Sequence, residues 1–209
     1  AFYGMIANID ENLKRLREVL KRRSRDRDTI LVFFNDNGTA GGVTLSGDGR
    51  NGWEIDGFNA GLRGRKTSRY EGGHRAACFI HWPSGGLTGG RDVDNVTAHI
   101  DLLPTLIELC GLTENPDIEG VSVAALLENP EAEWMHPAIT TLFQNNHAVR
   151  TRHWRYIRYA DGSEELYDRR VDPNEWTNLA GDLRYASMKQ QLRRHLPAVN
   201  VPQVEAGGQ

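Results

Sequence analysis

Residues 29–34 read TILVFF, six consecutive β-branched, aliphatic or aromatic side chains without a charge among them. Side chains on a strand alternate between its two faces, so a run with no polar alternation asks for apolar cover on both sides. The expectation is a buried central strand in an α/β fold, a sheet with helices packed on it. Residues 76–82 (AACFIHW) have the same character and predict a second buried strand, closed by Pro83 and a Ser-Gly-Gly turn. Ahead of the first strand, Met5, Ile6, Ile9, Leu13, Leu16 and Leu20 recur mostly in steps of three and four, the spacing of one helical face. No capping sequence stands before Phe2 and Tyr3, the pattern of a chain that enters in the middle of a fold. A further helix is expected from Leu102, Leu103, Leu106, Ile107 and Cys110, with Asp101 as its N-cap, Pro104 in its first turn and Gly111 ending it.

The last third changes pattern. Residues 147–159 are rich in aromatic and β-branched side chains, Asp161-Gly162 is a hairpin turn signal, and residues 165–167 supply a returning strand. A small antiparallel sheet follows, with Trp154, Tyr156 and Tyr159 packing it and a terminal helix over residues 183–196. The tail, residues 197–209, carries two prolines and reads as loose. Two domains are therefore expected, residues 1–145 and residues 146–209. A net charge of −3 gives no general attraction for nucleic acid, and no apolar run approaches the roughly 20 residues of a membrane-spanning helix. Cys78 and Cys110 have neither CxxC spacing nor partnered histidines and read as buried small hydrophobes. His81 reads as a core histidine, and His136, His147 and His153 lack a common metal-site spacing.

Two stretches carry chemistry. The first apolar strand ends in Asn35-Asp36-Asn37-Gly38, at the carboxyl edge where open α/β sheets place ligands. The carboxylate of Asp36 and the amide carbonyl of Asn37 are hard oxygen donors suited to Ca2+ or Mg2+; the same tripeptide is also ordinary turn chemistry. From Asp36 to Gly64 the chain is glycine-rich without helical or alternating pattern and reads as one long loop. Then come residues 61–66 (GLRGRK) and 70–75 (YEGGHR), where Lys and Arg separated by glycines can hold a sulfate or phosphate, or merely form a solvated basic loop.

The order of these features, a strand ending in DNG, a glycine-rich excursion, GLRGRK, YEGGHR, a strand ending in WP, then TAHIDLLPTLIELCG, resembles the formylglycine-dependent sulfatase family of the alkaline phosphatase superfamily. The opening YGMIANIDENLKRL and the later VRTRHWRYI, ELYD and DPNEWTNLA resemble it too, so the likeness runs through nearly the whole chain except the tail. The resemblance implies the C-terminal part of a large mixed-sheet fold that hydrolyses sulfate esters, those of carbohydrates among them, with Ca2+ or Mg2+. It implies Asp36 and Asn37 as two metal ligands and Lys66 as the catalytic, sulfate-contacting lysine. His74 and Arg75 would line the substrate pocket, Arg75 having the alternative of pairing with a carboxylate. The family's Cys/Ser-x-Pro-x-Arg motif, source of the formylglycine nucleophile, has no counterpart here, so formylglycine is expected in a missing N-terminal half. Without that half the chain is expected to be inactive. Family habit places such proteins in the periplasm or outside the cell. Two other readings stand: a phosphonate monoester or phosphodiester hydrolase of the same superfamily, and a non-catalytic module binding sulfated glycans or other anions. TAHIDLLPTL and the ELYD to TNLA ending favour the sulfatase.

Overall fold

The structure, a computed structural model, describes residues 2–39, 43–46, 54–57 and 59–202. In chain order its elements are α1 (Phe2–Arg22), β1 (Leu31–Phe34), β2 (Val43–Ser46), β3 (Glu54–Gly57), α2 (Glu71–His74), β4 (Cys78–His81), α3 (Leu102–Leu109), α4 (Ala124–Glu128), β5 (Ala138–Thr141), β6 (His147–Arg150), β7 (Trp154–Arg158), β8 (Glu164–Asp168) and α5 (Ala186–Arg193). They divide into two units, Ala1–Asn35 with Ala77–Asp92, and Asp36–Ala76 with Val93–Gln209. No helix among the described residues is long and apolar enough to cross a membrane.

In the first unit, the three-and-four spacing folds as expected into the 21-residue α1, which ends with Lys21 and Arg22 in its last turn, where cations favour the helix dipole. Of its apolar stripe, Leu13 and Leu20 are half-buried, while Met5, Ile6, Ile9 and Leu16 are exposed. β1 pairs antiparallel with β4, from Leu31 opposite His81 to Phe34 opposite Cys78. Both strands lie where the sequence puts them, but neither is buried on both faces. Phe34 is 45% and Phe79 64% exposed, because among the described residues β1 and β4 have only each other as strand partners. Cys78 and Cys110 are likewise exposed and free, not core residues. The turn after β4 holds, with Trp82 bridging Leu87 around a short 3-10 turn at Pro83–Gly85.

The second unit is built on a four-stranded antiparallel sheet in the order β5-β6-β7-β8. Both faces of this sheet are covered. Ala148, Ile157, Tyr159 and Tyr167 pack with Tyr70 on one face. Val149, Tyr156 and Leu166 pack with Leu192 and Met188 of α5 on the other. The hairpin between β7 and β8 turns at Asp161-Gly162, with Gly162 at φ +83°, and the aromatic and β-branched stretch 147–159 holds two strands, β6 and β7. β5 adds a strand that the sequence reading leaves out.

Two local expectations are corrected here. The glycine-rich stretch contains an antiparallel pair, β2 with β3, from Val43 opposite Gly57 to Ser46 opposite Glu54; its residues 40–42, 47–53 and 58 lie outside the described residues, as does the tail beyond residue 202. Asp101 is not the side-chain cap of α3. Its carboxylate accepts the Ala98 N–H at 2.7 Å and the Val121 N–H at 2.9 Å, so it ties a 3-10 turn to a distant loop. Gly111, at φ +62°, does follow the end of α3.

Candidate functional site

Residues 36–38 form a bend directly after Asn35, and two backbone hydrogen bonds stitch this bend and the following Thr39 to the basic loop. The Gly38 N–H donates to the Gly73 carbonyl at 2.9 Å, and the Lys66 N–H donates to the Thr39 carbonyl at 2.8 Å. Glycine is required at the first of these contacts, since a Cβ on Gly38 would overlap the Gly72 carbonyl oxygen. The two motifs are thus parts of one backbone assembly.

Lys66 is exposed and stands on a tight turn closed by the Ser68 N–H to the Arg65 carbonyl at 2.8 Å, with the Ser68 hydroxyl accepting the Arg65 N–H at 3.0 Å. The next residue, Thr67, has φ +73°. A left-handed backbone at the third position of a turn favours glycine, and a β-branched residue there is strained. Such strain persists only where surrounding contacts impose it.

Asp36 is exposed and Asn37 half-buried. The Asn37 Oδ1 is itself buried and has no hydrogen-bond partner among the described residues. A buried amide carbonyl left unpaired costs about 1–3 kcal/mol, so an orphan of this kind calls for a ligand. An amide oxygen beside a carboxylate fits a hard divalent cation. The described residues contain no cluster of three or more His, Cys, Asp or Glu side chains able to hold a metal. Asp36 and Asn37 therefore fit part of a shell that takes about 6–8 oxygens for Ca2+.

The loop carrying Lys66 is fastened from below by charges that the sequence reading does not single out. Glu71 opens α2 and is buried, with its carboxylate paired to Arg155, to Arg150 at 3.1 Å and to Arg169 at 3.2 Å. Glu175, fully buried, pairs with Arg155 and with Arg169 at 2.7 Å, and accepts the Glu71 N–H at 3.1 Å. Arg63 is buried against the ring of Tyr70, 3.8 Å from its centroid, and donates to the Tyr167 hydroxyl at 3.0 Å and to the Glu175 carbonyl. Burial alone would raise the Glu71 carboxyl, but the guanidinium groups of Arg155, Arg150 and Arg169 bring it down to about 2. The signal for Arg155 was present in the alternation of β7, which puts it on the same face as Ile157 and Tyr159.

His74 ends α2 half-buried, its Nδ1 3.4 Å from Arg155 Nη1. Burial, then the positive charge of Arg155, push its pKa down to about 4, so the ring is neutral at pH 7. Arg75 is exposed, and its N–H donates to the Glu71 carbonyl at 2.8 Å. The arginine that takes a buried carboxylate here is Arg155, with Arg150 and Arg169; among the described residues no ion pair engages Arg75. Nor does any side-chain hydrogen bond or ion pair join Asp36, Lys66 and Arg75 among the described residues. The backbone gathers them while their charged groups stay available.

Residues 1–112 match the family model described as Sulfatase, and residues 65–201 match the one described as N-sulphoglucosamine sulphohydrolase, C-terminal. A sulfatase of Formosa agariphila is 31% identical over 202 residues, covering 96% of this chain and 36% of that protein. A structure solved in complex with its substrate D-glucosamine-2-N,6-O-disulfate aligns with a TM-score of 0.66 at 24% identity, over 90% of this chain and 37% of the other. The phosphonate monoester hydrolase of Agrobacterium radiobacter aligns with a TM-score of 0.67 at 25% identity, over 92% of this chain and 39% of the other. The chain thus spans a little over a third of the length of these proteins.

Proposed function

The chain belongs to the sulfatase family, and from that premise we propose that it forms part of a hydrolase of sulfate esters, carrying the leaving-group side of the site and part of its metal shell. The observation that supports this best is the orphaned Asn37 Oδ1, on a bend hydrogen-bonded to the backbone of Lys66. Negative charge accumulates on the ester oxygen as its bond to sulfur breaks, and a fixed ammonium at that point stabilises it more than it stabilises the ground state. Lys66 has that role. Arg75 adds a second cation toward the sulfate, and His74 lines the pocket as a neutral ring. Asp36 and Asn37 would hold Ca2+ or Mg2+, which supplies positive charge to the sulfate oxygens. The formylglycine nucleophile belongs to the family motif that this chain does not contain.

A sulfated amino sugar is the substrate class we favour. Support comes from the N-sulphoglucosamine sulphohydrolase model over residues 65–201 and from the disulfated glucosamine bound in a protein of the same fold. The likeness to a phosphonate monoester hydrolase keeps that chemistry as a second reading. Steady-state hydrolysis of an aryl sulfate and an aryl phosphonate monoester by the full-length protein tests both. The sulfate should turn over faster, Lys66→Ala should lower kcat/KM about 100- to 1,000-fold, and Asn37→Leu should raise the Ca2+ concentration needed for activity. Preference for the phosphonate, or a Lys66→Ala enzyme within twofold of the parent, would overturn the assignment.

A further inference from the structure

Beside the turn that carries Lys66, a cleft of about 510 Å3 opens between the basic loop and the β7–β8 hairpin. That size falls within the roughly 300–1,000 Å3 of small-molecule sites. Its lining includes Thr67, Ser68, Arg69, Asn146, Tyr159 and Ser163, a set of hydroxyl, amide and aromatic groups that suits a hydroxylated ring. Glu165 also faces it, but its carboxylate already accepts hydroxyls from Tyr70 at 3.0 Å, Tyr159 at 2.9 Å and Tyr167 at 2.6 Å. Asp161 is engaged in the hairpin turn by the N–H and hydroxyl of Ser163.

Arg69 differs from these satisfied groups. Its guanidinium lies 4.9 Å from the centre of the Tyr159 ring, and its Nε is buried without a hydrogen-bond partner among the described residues. Its backbone is held in place, the Arg69 carbonyl accepting from Arg155 Nη1 at 3.0 Å. A guanidinium held over an aromatic face in the wall of a cleft offers its outer N–H groups to an anion. Only Thr67 and Ser68 separate it from Lys66, and Thr67 is the strained residue that sets the direction of the chain between the two.

We propose that this cleft is a subsite for the sugar unit adjoining the sulfated one, and that Arg69 selects an acidic substituent, carboxylate or sulfate, on that unit. The proposal rests on the reading of Lys66 as the group at the scissile ester. The neighbouring cleft then receives the unit linked to the sugar that carries the leaving oxygen, and specificity comes from Arg69 while the hydroxyls and Asn146 meet the ring.

Calorimetric titration of the full-length protein with three disaccharides tests it: glucosamine 6-sulfate joined to a uronic acid, to a sulfated neutral hexose, and to the unsulfated neutral hexose. Both acidic forms should bind at least tenfold more tightly than the neutral one if any anion suffices; preference for one of them identifies the substituent. Arg69→Gln should reduce the preference to less than twofold, Arg69→Lys should restore part of it, and Arg158→Ala, an exposed charge on the opposite face of the sheet, should leave it intact. Equal binding of all three sugars by the parent, or an undiminished preference in a folded Arg69→Gln protein, would overturn the proposal. Aryl sulfate hydrolysis measured in parallel separates the two levels: turnover without a preference refutes the subsite alone, and an Arg69-dependent preference without turnover refutes the sulfatase reading while the anion-selecting cleft stands.

Discussion

Glu71 and His74 lie three positions apart at the ends of one short helix, and both are held in the ionisation state that the fold needs. The Glu71 carboxyl is depressed to about 2 from an ordinary 4.5. It contributes stability that is fully present above pH 4.5 and is lost as pH falls toward 2. The His74 ring is depressed to about 4 from 6.5. Between those values the unfolded chain takes up a proton that the folded chain refuses, so stability again falls as pH drops, now from 6.5 to 4. Melting temperature should therefore decline in two successive stages on acidification. His74→Gln should flatten the stage between pH 6.5 and 4 and keep the lower one; an unaltered upper stage in that variant would remove His74 as its cause. The histidine was visible in the sequence as a candidate, but its neutrality was not, because it comes from burial and then from an arginine 81 positions away.

Among the elements, α2 and the turn before it are shaped by contacts rather than by propensity. A four-residue helix containing two glycines has little intrinsic stability. It persists because Glu71 and Glu175 share Arg155 and Arg169 inside the protein, and because Gly38, Gly72 and Gly73 let three backbone segments approach closely. Removing one partner from such a network leaves uncompensated buried charge. Glu175→Ala should cost about 3–5 kcal/mol in urea unfolding, and a cost below 1 kcal/mol would mean that the charges are solvated. Two glycine substitutions make a paired test of close approach. Gly4→Ala, in α1 with open space around it, should stabilise by about 0.5–1 kcal/mol. Gly38→Ala should destabilise and also lower activity, since it must part the bend bearing Asn37 from the loop bearing Lys66.

For the molecule as a whole, the first unit shows apolar side chains that its own residues leave uncovered, among them Met5, Ile9, Phe34 and Phe79. Of these, Phe79 stands beside the exposed Phe33, with ring centroids 6.3 Å apart, and adjoining exposed apolar side chains of this kind mark an interaction site. The relatives are nearly three times as long as this chain, and the expectation is that their additional length covers such surface and supplies the nucleophile. Residues 1–209 alone should then bind a hydrophobic dye and show no aryl sulfate turnover, whereas hydrolysis by these residues alone would refute the half-site reading. Local order determined much of this molecule in advance. Three-and-four spacing set α1, apolar β-branched runs set β1 and β4, Asp161-Gly162 set the β7–β8 hairpin, and the succession of DNG, GLRGRK and YEGGHR set the family resemblance, because each depends on residues close together in the chain. Tertiary structure alone decided that Glu71, Glu175 and Arg155 are core residues, that Phe34 and Phe79 remain exposed here, that Asp101 holds a remote loop, and that Asn37 has a buried oxygen without a partner among the described residues. Burial of a charge or a carbonyl depends on which distant groups the fold brings to it, and nothing in the neighbouring sequence encodes that partner.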